Sequence, residues 1–233
     1  MSALRSGVKA YPDVKAFVFD MDGTLMDTDV DYSALARVAE DEMIALGVPP
    51  EVIAEDRMNL STDRCMRWVS ENLPGSYDGI WDRIGDRATK VEMEHVETAK
   101  AFPGALELLR RLRSEGYKIG LLTRGGREYM ETVLRLTDSA DLFDVAVARD
   151  DYPHEEAKPD PRSMQHVADA LGVSCKDILF MGDSRVDYNT AVNAGTGFIA
   201  LCTGSVDRDA WIEYCGPSVT VARTIADVDK LIG

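Results

Sequence analysis

The fold of this chain follows from one stretch of sequence, Phe17-Val18-Phe19-Asp20-Met21-Asp22-Gly23-Thr24-Leu25. Apolar residues typical of a strand end at Asp20, and a second aspartate, Asp22, follows before glycine and threonine break the pattern. Two carboxylates at the end of a buried strand cost free energy unless a metal ion, a proton or hydrogen bonds compensate them. This stretch is therefore the first candidate for a catalytic or metal site.

Composition and charge limit what the 233-residue chain can be. At 45% hydrophobic and 29% charged it is an ordinary globular sequence, long enough for one large domain or two modest ones. Its formal net charge of -15 argues against unspecific binding to nucleic acid or to an anionic membrane surface, because both require basic patches. The acidic side chains instead offer oxygen ligands for hard cations such as Mg2+.

The cysteines and the apolar runs predict a cytoplasmic protein. Cys65, Cys175, Cys202 and Cys215 form no Cys-x-x-Cys pair and have no histidine at ligand spacing, which argues against a zinc site or a disulfide framework. We see no apolar run of signal-peptide or transmembrane length. The sequence leaves the oligomeric state open.

Strand and helix patterns alternate from about residue 100 onward. Buried strands are predicted at residues 16–19, 119–122, 145–148, 178–181, 198–201 and 219–222. Amphipathic helix patterns lie between most of them and after the last. This alternation predicts an α/β fold, a doubly wound parallel (Rossmann-like) sheet with helices on both faces.

The segment between the first strand and this alternating region contains helix patterns only. Helices are predicted at residues 32–46, 51–59, 65–73 and about 78–98, with Ser61-Thr62-Asp63 capping the third. We therefore predict an α/β core of residues 1–28 and 100–233 and an inserted helical domain of residues 29–99. Because the insertion leaves the sheet at its carboxyl edge, where open α/β sheets bind ligands, it can cover a site there.

Three predicted strands end at a polar residue, namely Asp20, Thr123 and Asp183. Each of them alone could start a turn or cap a helix. The carboxyl ends of parallel strands share one edge of the sheet, however, and Asp22 and Lys158 stand in loops on the same side. We therefore expect these side chains to form one site.

Four motifs in this order resemble those of the haloacid dehalogenase-like (HAD) superfamily. They are Asp20-Met21-Asp22-Gly23-Thr24-Leu25, Leu121-Leu122-Thr123, Lys158-Pro159 and Gly182-Asp183-Ser184-Arg185-Val186-Asp187. The helical insertion is similar to the C1-type cap domain of that superfamily. Beyond the first dozen residues, the chain is most similar to phosphoglycolate phosphatase-like and beta-phosphoglucomutase-like members.

The resemblance implies a magnesium site. Asp20, the backbone carbonyl of Asp22, and Asp183 would hold Mg2+, which suits a hard cation that prefers oxygen ligands. Asp187, four residues after Asp183 and so on the same helical face, would hold metal-bound water or form the outer shell.

The resemblance also implies roles in catalysis. Asp20 would attack phosphorus and form an aspartyl-phosphate, and Asp22 would act as general acid and then as general base. Thr123 and Lys158 would bind phosphoryl oxygens. Arg124 stands where family phosphatases often have asparagine, so it is either a further phosphate ligand or a surface charge at the start of a helix.

These motifs predict a Mg2+-dependent phosphatase acting on a small phosphorylated metabolite, phosphoglycolate-like or sugar-phosphate-like. Asp22 argues against a dehalogenase, because a halide leaving group needs no proton. A beta-phosphoglucomutase-like phosphomutase is the first alternative, although the mutases usually have another residue at Thr24. A non-catalytic regulatory or binding protein of the same fold is the second, although the sequence keeps both the nucleophile and the metal-binding acids.

Arg64 is the candidate in the insertion for contacting a second anionic group on the substrate. An ordinary charge on a helix surface is the alternative interpretation of this residue.

Overall fold

The computed structural model describes residues 11–59, 63–76 and 79–233, and the chain divides into two compact units. The core unit combines the chain up to Asp29 with Val96–Gly233, and the helical unit is Val30–His95. The predicted helix cap at Ser61-Thr62 lies outside the described residues. The use of the helical unit as a cap stays a prediction.

The core unit contains a six-stranded sheet with neighbouring strands in the order β5-β4-β1-β6-β7-β8. Numbered along the chain, the strands of the protein are β1 (Ala16–Phe19), β2 (Met26–Asp27), β3 (Lys100–Ala101), β4 (Lys118–Leu122), β5 (Val145–Val147), β6 (Ile178–Gly182), β7 (Gly197–Leu201) and β8 (Thr220–Ala222). All neighbouring pairs of the six-stranded sheet are parallel. The predicted α/β fold with a doubly wound parallel sheet is confirmed.

Strand β1 lies in the middle of this sheet because its residues are apolar on both faces. All four of its side chains are fully buried, as a strand covered on both sides by helices requires. Phe19 is in register with Leu121 of β4 and with Met181 of β6. The residues that follow these three strands therefore emerge at the same edge.

Helices of the core unit flank the sheet. They are α5 (Ala105–Ser114), α6 (Arg127–Leu136), α7 (Pro161–Leu171), α8 (Arg185–Ala194), α9 (Arg208–Cys215) and α10 (Ile225–Ile232), numbered after the four helices of the helical unit. Val18 and Phe180 of the sheet share one buried cluster with Met164, Val167 and other apolar residues of α7. The apolar face of α7 thus packs against the sheet and forms part of the core.

The helical unit contains α1 (Tyr32–Ala45), α2 (Pro50–Asn59), α3 (Asp63–Asn72) and α4 (Ile80–Met93). It has a small core of its own, formed by Met43, Val48, Ile53, Cys65, Met66, Val69 and Ile80. Glu42 of α1 accepts a hydrogen bond of 2.6 Å from Nε of Arg83 of α4, which joins the two long helices.

Three details of the secondary structure differ from the prediction. The helix expected to reach residue 98 ends at Met93, because Glu94 has an extended ψ of 125° and His95 after it has a left-handed φ of 61°. The antiparallel pair β2–β3 and helix α9 were not predicted. In the described parts of the chain, no helix is both long and apolar enough to cross a membrane.

Candidate active site

Three acidic residues meet where β1 and β6 end. Asp20 follows β1, Asp183 follows β6, and Asp187 lies in the first turn of α8. One carboxylate oxygen of each lies within 4.8 Å of those of the other two. The N–H of Asp20 donates to the carbonyl of Met181 at 2.9 Å, which continues the pairing of β1 with β6 and brings these residues together.

Lys158 places its ammonium group inside this acidic cluster. Its Nζ lies 2.6 Å from Oδ1 of Asp20 and 2.7 Å from Oδ1 of Asp187. It also lies 5.7 Å from the centre of the Phe180 ring. Lys158 is 5% exposed, so water contributes little to its solvation. The structure therefore brings Lys158 to the predicted site, in direct contact with Asp20.

The cluster carries more negative than positive charge, and its pKa values reflect this. Burial, together with the charge of Asp187, raises the pKa of Asp20 well above its usual value of 3.8, although Lys158 acts in the opposite direction. Burial and Asp187 likewise raise the pKa of Asp183 to about 6. Burial opposes the charge of Lys158, but the Asp187 and Asp20 carboxylates outweigh it and hold the lysine pKa above its usual value.

The excess negative charge of the cluster and its carboxylate oxygens fit a divalent cation. Two carboxylates at such a separation repel each other by about 3 kcal/mol at an effective dielectric constant of about 20. One ammonium among three carboxylates does not offset all of this repulsion. Carboxylate oxygens are the ligands that Mg2+ prefers, and a bound cation would favour the ionised form of each acid. The residues present therefore fit Mg2+.

Asp183 occupies a space that two glycines leave open. Gly23 has a φ of 74°, and a Cβ on it would lie 2.5 Å from Oδ2 of Asp183. A Cβ on Gly204 would lie only 1.8 Å from the same oxygen. The hydroxyl of Thr24 donates to Oδ1 of Asp183 at 3.1 Å. Both glycines are thus required for the carboxylate to keep this position.

Asp187 is fixed by the start of α8. The backbone N–H and the hydroxyl of Ser184 donate to Oδ2 of Asp187 at 3.1 and 2.5 Å, while Ser184 caps the helix in return. This is a capping box. It holds one oxygen of Asp187, and the other oxygen contacts Lys158.

Asp22 has contacts of a different kind. The hydroxyls of Thr28 and Tyr129 donate to its Oδ1 at 2.8 and 2.6 Å. The main chain turns directly after it, where the N–H of Gly23 donates to the carbonyl of Met26 at 2.9 Å. Two hydroxyls thus hold Oδ1 of Asp22, whereas an ammonium group holds Oδ1 of Asp20. The predicted contact of the Asp22 carbonyl with a metal stays a prediction.

Thr123 follows β4 at the same edge of the sheet and is buried. Its hydroxyl oxygen accepts the N–H of Gly125 at 2.9 Å, so that its single hydrogen can be donated to another oxygen. Arg124 is exposed, and its carbonyl accepts a hydrogen bond from Arg149 at 3.1 Å. The phosphate-binding roles of Thr123 and Arg124 stay predictions.

Arg64 forms an exposed ion pair with Glu55 inside the helical unit. This contact agrees with the interpretation of Arg64 as a helix-surface charge. A contact with substrate stays a prediction.

Thr24, Thr28, Tyr129, Ser184 and Gly204 gained a role in the site only from the structure. The pattern Ser184-x-x-Asp187 is a capping-box signal that the sequence alone could have given. Tyr129 belongs to the apolar stripe of α6 and is typical of a core residue. Its contact with Asp22, 107 residues away, has no local signal in the sequence.

Comparison with known proteins agrees with this geometry. The family model of haloacid dehalogenase-like hydrolases matches residues 14–195, which is more than half of the chain. The chain belongs to the haloacid dehalogenase-like hydrolase family. The resemblance seen in the four motifs is therefore confirmed.

Similar proteins of this family match over nearly their whole length. The phosphoglycolate phosphatase of Nitrosospira multiformis is 29% identical over 228 residues, covering 94% of this chain and 96% of that protein. The phosphoglycolate phosphatase of Escherichia coli K12 is 26% identical over 248 residues, covering 96% and 94%. The family match and these relatives make the chain a phosphatase, that is, a phosphoric monoester hydrolase.

The fold also matches a solved structure of a related type. The crystal structure of a candidate beta-phosphoglucomutase from Thermotoga maritima superposes with a TM-score of 0.60 at 26% identity, covering 94% of this chain and 98% of that chain. The hydrolase family thus shares its fold with proteins named for a different reaction of phosphate esters.

Proposed function

We propose that this phosphatase is Mg2+-dependent and hydrolyses a small phosphorylated metabolite through an aspartyl-phosphate on Asp20. The observation that supports this proposal is the cluster of Asp20, Asp183 and Asp187, in which buried Lys158 contacts the two buried acids, Asp20 and Asp187. Phosphoglycolate-like and sugar-phosphate-like esters are the proposed substrates. The names of the relatives from Nitrosospira multiformis and Escherichia coli favour the former.

Asp20 and Asp183 are the side chains that would hold Mg2+, together with the backbone carbonyl of Asp22, while Asp187 would hold metal-bound water or form the outer shell. When bound, the ion supplies positive charge that reduces the repulsion between an anionic phosphate ester and an anionic nucleophile. Ser184 and the glycines beside Asp183 keep two of these acids in place before any ion arrives.

In the first step a carboxylate oxygen of Asp20 forms a bond to phosphorus, and the bond from phosphorus to the ester oxygen breaks. Lys158 holds Oδ1 of Asp20 and so orients the carboxylate for this attack. Asp22 gives its proton to the departing oxygen, which leaves as an alcohol, and Asp22 becomes a carboxylate. Thr123 donates its hydroxyl hydrogen to a phosphoryl oxygen.

In the second step a water oxygen forms a bond to phosphorus, and the bond between phosphorus and Asp20 breaks. Asp22 takes a proton from that water and returns to its acid form. Inorganic phosphate leaves, and Asp20 is again a carboxylate. Each turnover thus consumes one ester and one water and restores both aspartates.

A screen of phosphorylated metabolites in the presence of Mg2+, with free phosphate as the readout, tests this proposal. We expect phosphate release from phosphoglycolate or a sugar phosphate and its loss in EDTA. The similarity to the Thermotoga maritima protein is a reason to include hexose phosphates. Isomerisation of a hexose phosphate without phosphate release would identify a phosphomutase, and a folded protein inactive on every ester would favour a binding protein.

A further inference from the structure

Tyr129 reaches Asp22 from the helix that follows the second motif. Its hydroxyl oxygen lies 2.6 Å from Oδ1 of Asp22. The side chain is 1% exposed, so the hydroxyl is buried rather than turned to solvent, and it contacts a half-buried acid. A buried hydroxyl needs a hydrogen-bond partner, and here the partner is the residue proposed to move the proton.

The turn before α6 places both Tyr129 and Thr123. A Cβ on Gly125 would lie 2.8 Å from Cδ1 of Tyr129 and 3.3 Å from the hydroxyl of Thr123. The ring of Tyr129 therefore occupies the space that a side chain at residue 125 would fill. The N–H of Gly125 donates to Thr123, so one short turn fixes the phosphate-binding candidate and the tyrosine ring together.

Two hydrogen bonds converge on a single oxygen of Asp22. Tyr129 and Thr28 both donate to Oδ1. An oxygen that accepts two hydrogen bonds is a poor place for a proton, so the proton that Asp22 exchanges belongs on Oδ2. Oδ1 can accept these bonds whether Asp22 is a carboxylate or a carboxylic acid. The same orientation is therefore kept before and after proton transfer.

We propose that Tyr129 is a positioning residue for Asp22. It holds Oδ1 so that Oδ2 faces the leaving oxygen in the first step and the attacking water in the second. The inference rests on the proposed function, because orientation of Asp22 matters only if Asp22 transfers a proton. Thr28 shares the oxygen but follows the two-residue strand β2, whereas Tyr129 is held within the regular helix α6.

The variant Tyr129→Phe tests this role because it keeps the ring and removes only the hydroxyl. The measurement is kcat/KM on two esters, the best alkyl phosphate from the metabolite screen and 2,4-dinitrophenyl phosphate. The value of kcat/KM reports the steps up to release of the leaving group, and a dinitrophenolate leaves without a proton. We expect a loss of about 10- to 100-fold on the alkyl ester and of less than about 3-fold on the dinitrophenyl ester.

A matched control is Tyr117→Phe. Tyr117 is also buried, but it precedes β4 at the opposite end of the sheet, with its ring edge-on to Phe17 at 5.0 Å. We expect this variant to keep the wild-type ratio of activity on the two esters. Loss of a hydroxyl that merely stabilises the fold would lower both activities by the same factor.

A double-mutant cycle with Asp22→Asn gives an independent test. If Tyr129 acts through Asp22, adding Tyr129→Phe to Asp22→Asn costs no further activity on the alkyl ester. Equal losses on the two esters, no loss on either, or additive losses in the cycle would overturn the inference. Wild-type protein that hydrolyses no ester would instead overturn the proposed function, so the two failures are distinguishable.

Discussion

Asp20 and Asp22 stand two residues apart, yet different groups hold one carboxylate oxygen of each. Asp20 contacts the ammonium of Lys158 and shares its surroundings with two further carboxylates. Asp22 accepts hydrogen bonds from two neutral hydroxyls. The two carboxyl groups come from one short segment. Their contacts differ because Lys158 and Tyr129, which are distant in the sequence, each reach only one of them.

This difference shows how one turn can supply two chemical roles. A cluster of like charges around a single lysine favours binding of a cation, and in the proposed mechanism a bound cation would keep Asp20 anionic for its attack on phosphorus. Hydroxyl donors tolerate both protonation states, which a group that gives and then takes a proton requires. In the proposed mechanism, the surroundings of each aspartate, rather than its residue type, separate the nucleophile from the acid.

The largest expected effect is that of Asp20→Asn. An amide is a poor nucleophile, so we expect kcat to fall by about 10⁴-fold or more on every ester, including 2,4-dinitrophenyl phosphate. Steady-state assays with Mg2+ measure this, with the thermal midpoint as a check of folding. In contrast, Asp22→Asn should still release dinitrophenolate from its first turnover. Full activity of Asp20→Asn would abolish the distinction between the two aspartates.

Lys158→Met tests the contribution of the ammonium group to the acidic cluster around Asp20. The variant leaves the acids of the cluster without their ammonium partner, and we expect a loss of about 3–5 kcal/mol in the free energy of unfolding in EDTA. We also expect kcat to fall by about 10²–10³-fold. Saturating Mg2+ should recover part of the stability, since it replaces the missing positive charge, but not the activity. Urea denaturation with and without Mg2+ measures the first effect.

Lys15→Met is the matched control for that experiment. Lys15 pairs with Asp177 at 2.7 Å, but its side chain is half exposed and stands at the opposite end of β1. Pairs of this kind contribute about 0–1 kcal/mol, so the control should be nearly as stable as wild type. Equal losses in the two variants would mean that the cluster has no special dependence on its lysine.

The pH dependence of the free energy of unfolding tests the same cluster without an activity measurement. Because the pKa of Asp183 is raised from 3.8 to about 6, the metal-free folded state binds a proton that the unfolded state releases between these values. The contribution of Asp183 to stability is therefore fully present below about pH 4 and lost as pH rises through about 6. We expect this loss to be on the order of 1–3 kcal/mol.

The difference between wild type and Asp183→Asn isolates this effect. Other acids whose pKa is lowered, such as Asp177, act in the opposite direction but are common to both proteins. We expect the stability of metal-free wild type, relative to the variant, to decline between pH 4 and pH 7, and Mg2+ to reverse the decline. A difference that does not change with pH would show that Asp183 is not under repulsion.

The smallest expected effect concerns the hydroxyl groups that contact Asp22. Thr28→Val removes one of the two hydroxyls on Oδ1 of Asp22, and we expect a loss of about 3- to 10-fold in kcat/KM on an alkyl ester. Thr28→Ser keeps the hydroxyl and serves as the control with near wild-type activity. If Thr28→Val has no effect while Tyr129→Phe does, the tyrosine alone orients Asp22.

The charged cluster could be predicted from the sequence because it depends on strand ends. Apolar runs fix which segments form the parallel sheet, and parallel strands place Asp20, Thr123 and Asp183 at one edge. The position of Lys158 between Asp20 and Asp187 could not be predicted, since the resemblance gave it only a phosphate-binding role. Its contacts depend on how the loop before α7 crosses the sheet edge.

The two hydroxyl groups that donate to Oδ1 of Asp22 could not be predicted from the sequence. Tyr129 follows the apolar stripe of α6, and periodicity identifies such a residue as part of the core without showing where its hydroxyl points. Strands β2 and β3 have two residues each, too few for an alternating pattern. Thr28 therefore had no recognisable position either.

The most direct test of the division between the two aspartates is to locate the phosphoryl group during turnover. Asp22→Asn is mixed with Mg2+ and 2,4-dinitrophenyl phosphate, quenched with acid, and analysed by peptide mass spectrometry. The first step needs no proton for this ester, whereas the second lacks its base, so we predict that phosphorylated Asp20 accumulates to nearly one group per protein. Phosphorylation at another residue, or rapid phosphate release with no phosphorylated protein, would contradict the account.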